Sequence, residues 1–429
     1  MNCKGKCMKR YLILRNDNSI FGLLIIYSLI IPFSRFFINN TTENLFLSFL
    51  ADVFIIILFL ILMSNSSNNK IHLIDILLAI FVFFNILSGL NIILLNMDYP
   101  QLYFYGLHMT VLPMILYFGA RFTNFESSRI LYIIWQIGLI HIGIGIISYS
   151  PIIRYLPSII RPILYQLNNL CTYRIEENWG LLVRMRSCLD SLTFGNIAGI
   201  TFLLSFYFIL TKKKKYYYFI LILSLLAVAL SYQRSSWIAI LVGLFILVLF
   251  IQSHNKGKKV FLLIGIILII IVIINNILPE NYKNYLNSRF TDLISGGRSA
   301  ISGRVNQWYY GMEVIANNPF GVGIGELGHK AARFAKGGVY DGNYFKIFAE
   351  IGLIGFLFFL LIILDIIKRF ILILNSKQHV YNNGEKILMF VILIFYMIQA
   401  IGTNVWDLYY SNIIFWLILG LYHNDYNTT

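Results

Sequence analysis

The chain has 429 residues, of which 58% are hydrophobic and 12% charged, and its formal charge is +15. With a mean hydropathy of +0.74 it lies far outside the composition of soluble globular domains, and no polar stretch is long enough to fold alone. What remains is an integral membrane protein that crosses the bilayer many times.

A span of roughly 30 Å of hydrocarbon needs about 20 apolar residues in a helix. Stretches of that kind are predicted at 19–38, 44–63, 71–95, 101–120, 130–150, 189–210, 216–231, 236–252, 259–278, 344–367, 386–403 and 408–424. The expected fold is therefore all-α, a polytopic bundle of about twelve transmembrane helices forming one integral membrane domain, 1–429. Two connections are long: an Arg-rich loop at 151–188 and a loop at 279–343 predicted to contain short helices. Met1 to Arg15 is basic and runs into a full-length span without a small-residue cleavage site, so the first span is expected to stay as an anchor.

Orientation follows from the short loops, because Lys and Arg accumulate on the cytoplasmic side. Lys4, Lys6, Lys9, Arg10 and Arg15 precede the first span, and Lys212 to Lys215 lie between the sixth and seventh. Lys256, Lys258, Lys259, Lys368, Arg369, Lys377 and Lys386 share that parity, whereas 39–43, 96–100 and 404–407 carry neither residue. Both termini are thus expected in the cytoplasm. Cys171 and Cys188 share one external loop and can bond if that compartment is oxidising; Cys3 and Cys7 fall on the reducing side.

Under this topology lysines sort inside and arginines outside. Arg154, Arg161, Arg174, Arg184 and Arg186 occupy the 151–188 loop, Arg234 a tight turn, and Arg289, Arg298, Arg304 and Arg333 the long loop. Long translocated loops escape the positive-inside rule, but that does not account for guanidinium in preference to ammonium. Guanidinium grips phosphate oxygens with two parallel donors, so an anionic, phosphorylated ligand fits.

Ile159, Ile160, Ile163, Leu164 and Leu167 follow Pro157 at helical spacing and read as an interfacial amphipathic helix, whose arginines serve either a ligand or lipid headgroups. Lys212 to Lys215 followed by Tyr216 to Tyr218 is explained by topology and headgroup anchoring, and no nucleic-acid partner is expected. In the long loop, Ser302 is a plausible N-cap for a helix to Ala316, closed by Asn317-Asn318-Pro319. Arg304 and Trp308 share a face of it and offer a cation beside a flat ring, or simply pack on the bundle. Gly321-Val-Gly-Ile-Gly325 follows a helix rather than a strand, which makes it a tight external turn and not a dinucleotide fingerprint.

Three segments together resemble the bacterial O-antigen ligase and polymerase superfamily. They are Arg184-Met-Arg-Ser-Cys-Leu-Asp190 leading to Phe194-Gly-Asn-Ile-Ala198; Leu230-Ser-Tyr-Gln-Arg-Ser-Ser-Trp237; and Gly303-Arg-Val-Asn-Gln-Trp308 through Asn318-Pro-Phe-Gly-Val-Gly-Ile-Gly325. The third continues into Asp341-Gly-Asn-Tyr-Phe345 and Ala349-Glu-Ile-Gly-Leu-Ile-Gly355. The resemblance implies inverting glycosyl transfer without a metal or cofactor at the outer face of the bacterial cytoplasmic membrane. A sugar hydroxyl would attack the anomeric carbon of a polyprenyl-pyrophosphate-linked oligosaccharide, and polyprenyl pyrophosphate would leave.

On that reading Arg234, Arg304 and Asp341 are the expected catalytic residues, with Arg184, Arg186, Arg298, Trp308 and Asn343 in substrate binding. Asp341 would assist the acceptor hydroxyl as a general base or by orienting it, or else it caps the helix that follows. Ligases of the superfamily usually place His before the Asn of the last motif; Gly342 stands there, which favours a repeat-unit polymerase of O-antigen, capsule or a related glycan. Membrane lipids, a chain-length regulator and a flippase are the implied partners. A flippase or transporter would place ionisable residues at mid-membrane, and enzymes using polyprenyl-monophosphate sugars usually show an acidic pair where Asn39 to Asn44 has only Glu43.

Overall fold

The computed structural model describes residues 41–64, 70–94, 100–149, 172–177, 180–187, 189–212, 214–251, 298–328, 341–375 and 384–424, with a few isolated positions between them. Its helices are α1 (Thr41–Ser64), α2 (Leu73–Leu94), α3 (Pro100–Gly106), α4 (Leu112–Phe122), α5 (Ser127–Ser148), α6 (Ser191–Lys212), α7 (Tyr216–Ser231) and α8 (Arg234–Phe250). They continue with α9 (Arg298–Asn317), α10 (Asn343–Asn375), α11 (Gly384–Gly402) and α12 (Tyr409–His423). A π-helical turn, Leu107–Val111, joins α3 to α4.

Helices occupy ten of the twelve expected intervals, while 19–38 and 259–278 fall almost wholly outside the described residues. By length and apolar composition, five described stretches can cross a membrane, 102–122, 127–148, 191–212, 343–375 and 384–402. The apolar stretches 52–64 of α1 and 73–89 of α2, and the helices 216–231 and 234–250, are shorter.

The bundle is all-α as expected, and the 151–188 loop adds one antiparallel hairpin. Strands β1 (Thr172–Glu177) and β2 (Gly180–Met185) pair with Thr172 opposite Met185 and Glu177 opposite Gly180. The amphipathic helix expected after Pro157 and the Cys171–Cys188 pair lie for the most part outside the described residues.

Helix α6 is buried along nearly its whole length and touches α5, α7, α8, α11 and α12. Small residues permit this, as they do wherever membrane helices pack closely. A Cβ on Gly199 would lie 2.6 Å from the Phe395 ring, and one on Gly138 of α5 would lie 1.8 Å from the Thr201 hydroxyl. Helix α12 crosses α4 as tightly, since Gly420 backs onto the Tyr117 carbonyl.

Helix α10 is broken at Gly352, where φ is 73°. A left-handed residue interrupts the helical hydrogen-bond ladder, and inside a membrane bundle the freed groups must find other partners. The segment after α9 supplies them. The Leu353 amide donates to the Pro319 carbonyl (2.9 Å), while Val322 and Gly323 donate to the carbonyls of Ala349 (3.0 Å) and Glu350 (2.9 Å).

Candidate active site

The connection Thr403–Leu408 between α11 and α12 is the point on which this end of the bundle converges. Thr403 lies 3.5 Å from Ser235, the residue after Arg234. The Asn404 side chain donates to the Val339 carbonyl at 2.6 Å. The Trp406 amide donates to Asn343 Oδ1 at 2.9 Å, so the buried Asn343 ties the start of α10 to the connection. Asp407, two residues before α12, reaches Lys346 of α10.

Lys346 is buried between two carboxylates, with its Nζ 2.5 Å from Asp407 and 3.2 Å from Glu350. Glu350 uses its other oxygen to accept the amides of Gly325 and Leu327, each at 3.1 Å. One line of charge thus runs from the Thr403–Leu408 connection through the first turns of α10 to the glycine segment. That segment is a tight turn, as its sequence predicts, with positive φ at Gly321, Gly323 and Gly325. It is buried against the bundle instead of lying out on the surface, because Gly325 approaches the Leu102 carbonyl of α3 and Gly321 the break in α10.

Arg184 and Arg186 sit at the end of β2, which packs on α6 and α7, and both are half-buried. Arg234 opens α8 after the turn at Tyr232, whose left-handed φ of 55° ends α7. Beneath this turn lies a buried polar floor. Gln233 donates to Asn196 Oδ1 (2.9 Å) and Gln399 Oε1 (3.0 Å), and Asn196 donates to Ser411 (3.0 Å). His141 meets Ser187 at 2.7 Å beside Arg186. These pairings couple α6, α11 and α12 to the turn between α7 and α8 and so help to fix the rotation of the helices and the turn bearing Arg234.

Helix α9 lies against the start of α10. Trp308 stacks on Phe345 (5.2 Å, 16°) and donates its indole N–H to the Asp341 carbonyl at 3.0 Å. The Asp341 amide donates to Gln307 at 2.8 Å. Trp308 therefore joins α9 to α10 through one ring face and its nitrogen. Arg298 and Arg304 lie on α9, and their side chains are outside the described residues.

A family model described as O-antigen ligase matches residues 219–360, about a third of the chain. A curated protein named O-antigen polymerase, from Salmonella muenchen, is 29% identical over 132 residues, which make up 30% of this chain and 32% of that protein. Residues 219–360 are thus similar to the O-antigen ligase family. The alignment spans about a third of the curated relative's length.

The matched segment contains Arg234, Arg298, Arg304, Trp308, Asp341 and Asn343, while Arg184 and Arg186 lie outside it, at the end of β2. It also contains Lys346 and Glu350, which the sequence reading passed over. Their signal was present: two opposite charges four residues apart in an otherwise apolar span. Asp407 carried no such signal, since it lies in a connection 61 residues from Lys346.

Proposed function

We propose that the chain is a polymerase of polyprenyl-pyrophosphate-linked oligosaccharide repeat units, working at the outer face of a bacterial cytoplasmic membrane with both termini inside. The observation that carries this reading is that β2, with Arg184 at its end and Arg186 just past it, packs on α6 and α7, which bear Asn196 of the polar floor and the turn leading to Arg234. Among the described residues the buried Nε atom of Arg184 has no hydrogen-bond partner, and a phosphate oxygen would supply one.

Glycosyl transfer places negative charge on the departing pyrophosphate, and fixed cations in a site of low dielectric lower that barrier without reorganising. Arg184, Arg186 and Arg234, with Arg298 and Arg304 from α9, hold the pyrophosphate or glycan. Trp308 borders the glycan, the buried Asn343 supports the site by holding the start of α10 to the Thr403–Leu408 connection, and Asp341 orients the acceptor hydroxyl. A flippase delivers the lipid-linked unit and a chain-length regulator sets the product. Ligation of finished glycan to another acceptor is the second reading, favoured by the description of the matching family. Gly342 in place of the ligase-type His, and the name of the curated relative, favour polymerisation.

The test is the surface glycan of a deletion strain carrying wild-type or variant protein. Loss of polymerase leaves single repeat units attached, whereas loss of ligase leaves long chains unattached. Arg234→Lys is expected to lose most long chains although the charge is kept, because an ammonium cannot make the two-pronged phosphate contact. A wild-type length distribution in that variant removes Arg234 from the site.

A further inference from the structure

A sugar hydroxyl that attacks an anomeric carbon must lose a proton, and most of the buried ionisable side chains are engaged elsewhere. Lys346, Glu350 and Asp407 are committed to one another and to the glycine segment. His141 is fully buried against Ser187, and His423, at the opposite end, has both ring nitrogens engaged, by Leu419 and Asp365.

His108 is different. It lies in the π-helical turn between α3 and α4, a kind of insertion that re-aims side chains and recurs at functional sites. Its Nδ1 is bonded to Asp52 Oδ1 of α1. The Tyr409 hydroxyl donates to the same oxygen at 2.9 Å, and the Tyr409 ring stacks on the imidazole (4.5 Å, 27°). Two neighbours thus fix the ring's position and tilt. A carboxylate only accepts, so Nδ1 carries the hydrogen and Nε2 presents its lone pair. Nε2 makes no hydrogen bond among the described residues, and the side chain keeps 10% of its surface exposed.

The turn also lies against the matched segment. A Cβ on Gly106 would come within 2.6 Å of the Ile324 carbonyl carbon, the Met109 carbonyl accepts from Asn412, and Thr110 lines a small cavity with Asn343, Lys346 and Asp407.

We propose that His108, held by Asp52, takes the proton of the attacking hydroxyl; the assignment rests on the glycosyl-transfer reading given above. The hydroxyl oxygen bonds to the anomeric carbon as the bond from that carbon to the pyrophosphate oxygen breaks. The electron pair of that bond leaves with the pyrophosphate, towards the arginines. The hydroxyl proton moves to Nε2, forming an imidazolium paired with Asp52, and later passes to water. Asp341 is left to orient the hydroxyl.

The test uses the full chain in lipid nanodiscs with a lipid-linked repeat unit, measuring kcat and KM with and without added imidazole. A positioned base contributes about 10²–10⁴-fold. His108→Ala is expected to lose about that much in kcat with KM little changed, and imidazole should restore part of it. Asp52→Asn should lower kcat as well, and His72→Ala, at the opposite end of α2, should leave both constants unchanged. The proposal is overturned if folded His108→Ala keeps kcat within about threefold of wild type, if only KM changes, or if imidazole restores nothing. If His108→Ala does not fold, His108→Gln decides on the same kcat and KM criteria. Wild-type protein that transfers no sugar overturns the function reading itself, whereas transfer that survives loss of His108 overturns the dyad alone.

Discussion

Replacing Lys346 by Met removes the one ammonium that two buried carboxylates share. The side chains of Lys346, Glu350 and Asp407 are 5%, 3% and 13% exposed, so water cannot take over the lost interaction. Breaking a buried pair from one side typically costs about 3–5 kcal/mol, most of it the price of the stranded charge. Glu350→Gln should be milder, because a Gln oxygen still accepts from Gly325 and Leu327 and Lys346 keeps Asp407. Its loss is one charge-assisted bond, about 1.5–3 kcal/mol. Reversible unfolding by SDS in mixed micelles, followed by tryptophan fluorescence, measures both. Met at 346 should be the more damaging by roughly 2 kcal/mol, and the double variant should be less destabilised than the sum of the singles, as members of one network are. Lys346→Met within about 1 kcal/mol of wild type, or Glu350→Gln equally severe, would refute a shared buried ammonium.

Gly321→Ala should destabilise by about 1–3 kcal/mol in the same assay, because φ is +89° and a Cβ would lie 2.4 Å from the Glu350 carbonyl oxygen. Gly143→Ala, where a Cβ meets open space, should stay within about 0.5 kcal/mol of wild type. On topology, with the native cysteines replaced, Asn318→Cys should react with an impermeant maleimide on intact cells and Lys214→Cys only after permeabilisation. Both positions are exposed, and the reverse pattern would invert the orientation drawn from the lysines.

The helices were legible wherever hydropathy alone defines them, because a span must satisfy its own backbone and so has little choice but to be helical. The hairpin at 172–185 was not: its two strands are six residues each and sit among arginines that drew a ligand reading. The extension of α10 to Asn375, past the expected end at 367, reflects a helix that continues beyond the apolar run. Among the candidate site residues, Arg234, Asp341 and Asn343 stood out because local motifs surround them. Asp52 and His108 lie 56 residues apart and neither sits in a motif, so only packing reveals that they meet. The flat ring of Trp308 is visible in the sequence, yet which face it presents depends on Phe345, a neighbour no spacing rule on α9 contains.

At the opposite end, the Lys386 ammonium caps three carbonyls at the close of α12, those of Leu421 (2.9 Å), Tyr422 (3.0 Å) and Asn424 (2.7 Å). The Asn424 amide in turn holds the carbonyls of Ala120 (3.1 Å) and Thr123 (2.7 Å) at the end of α4. Asn424 is thus a keystone fastening three helices, and it sets where the protein can be handled. An affinity tag or fluorescent reporter joined after Asn424 leaves that fastening intact. A truncation or fusion junction one residue earlier takes away two hydrogen bonds and one of the three oxygens that keep a buried lysine solvated, and loosens α4, α11 and α12 together.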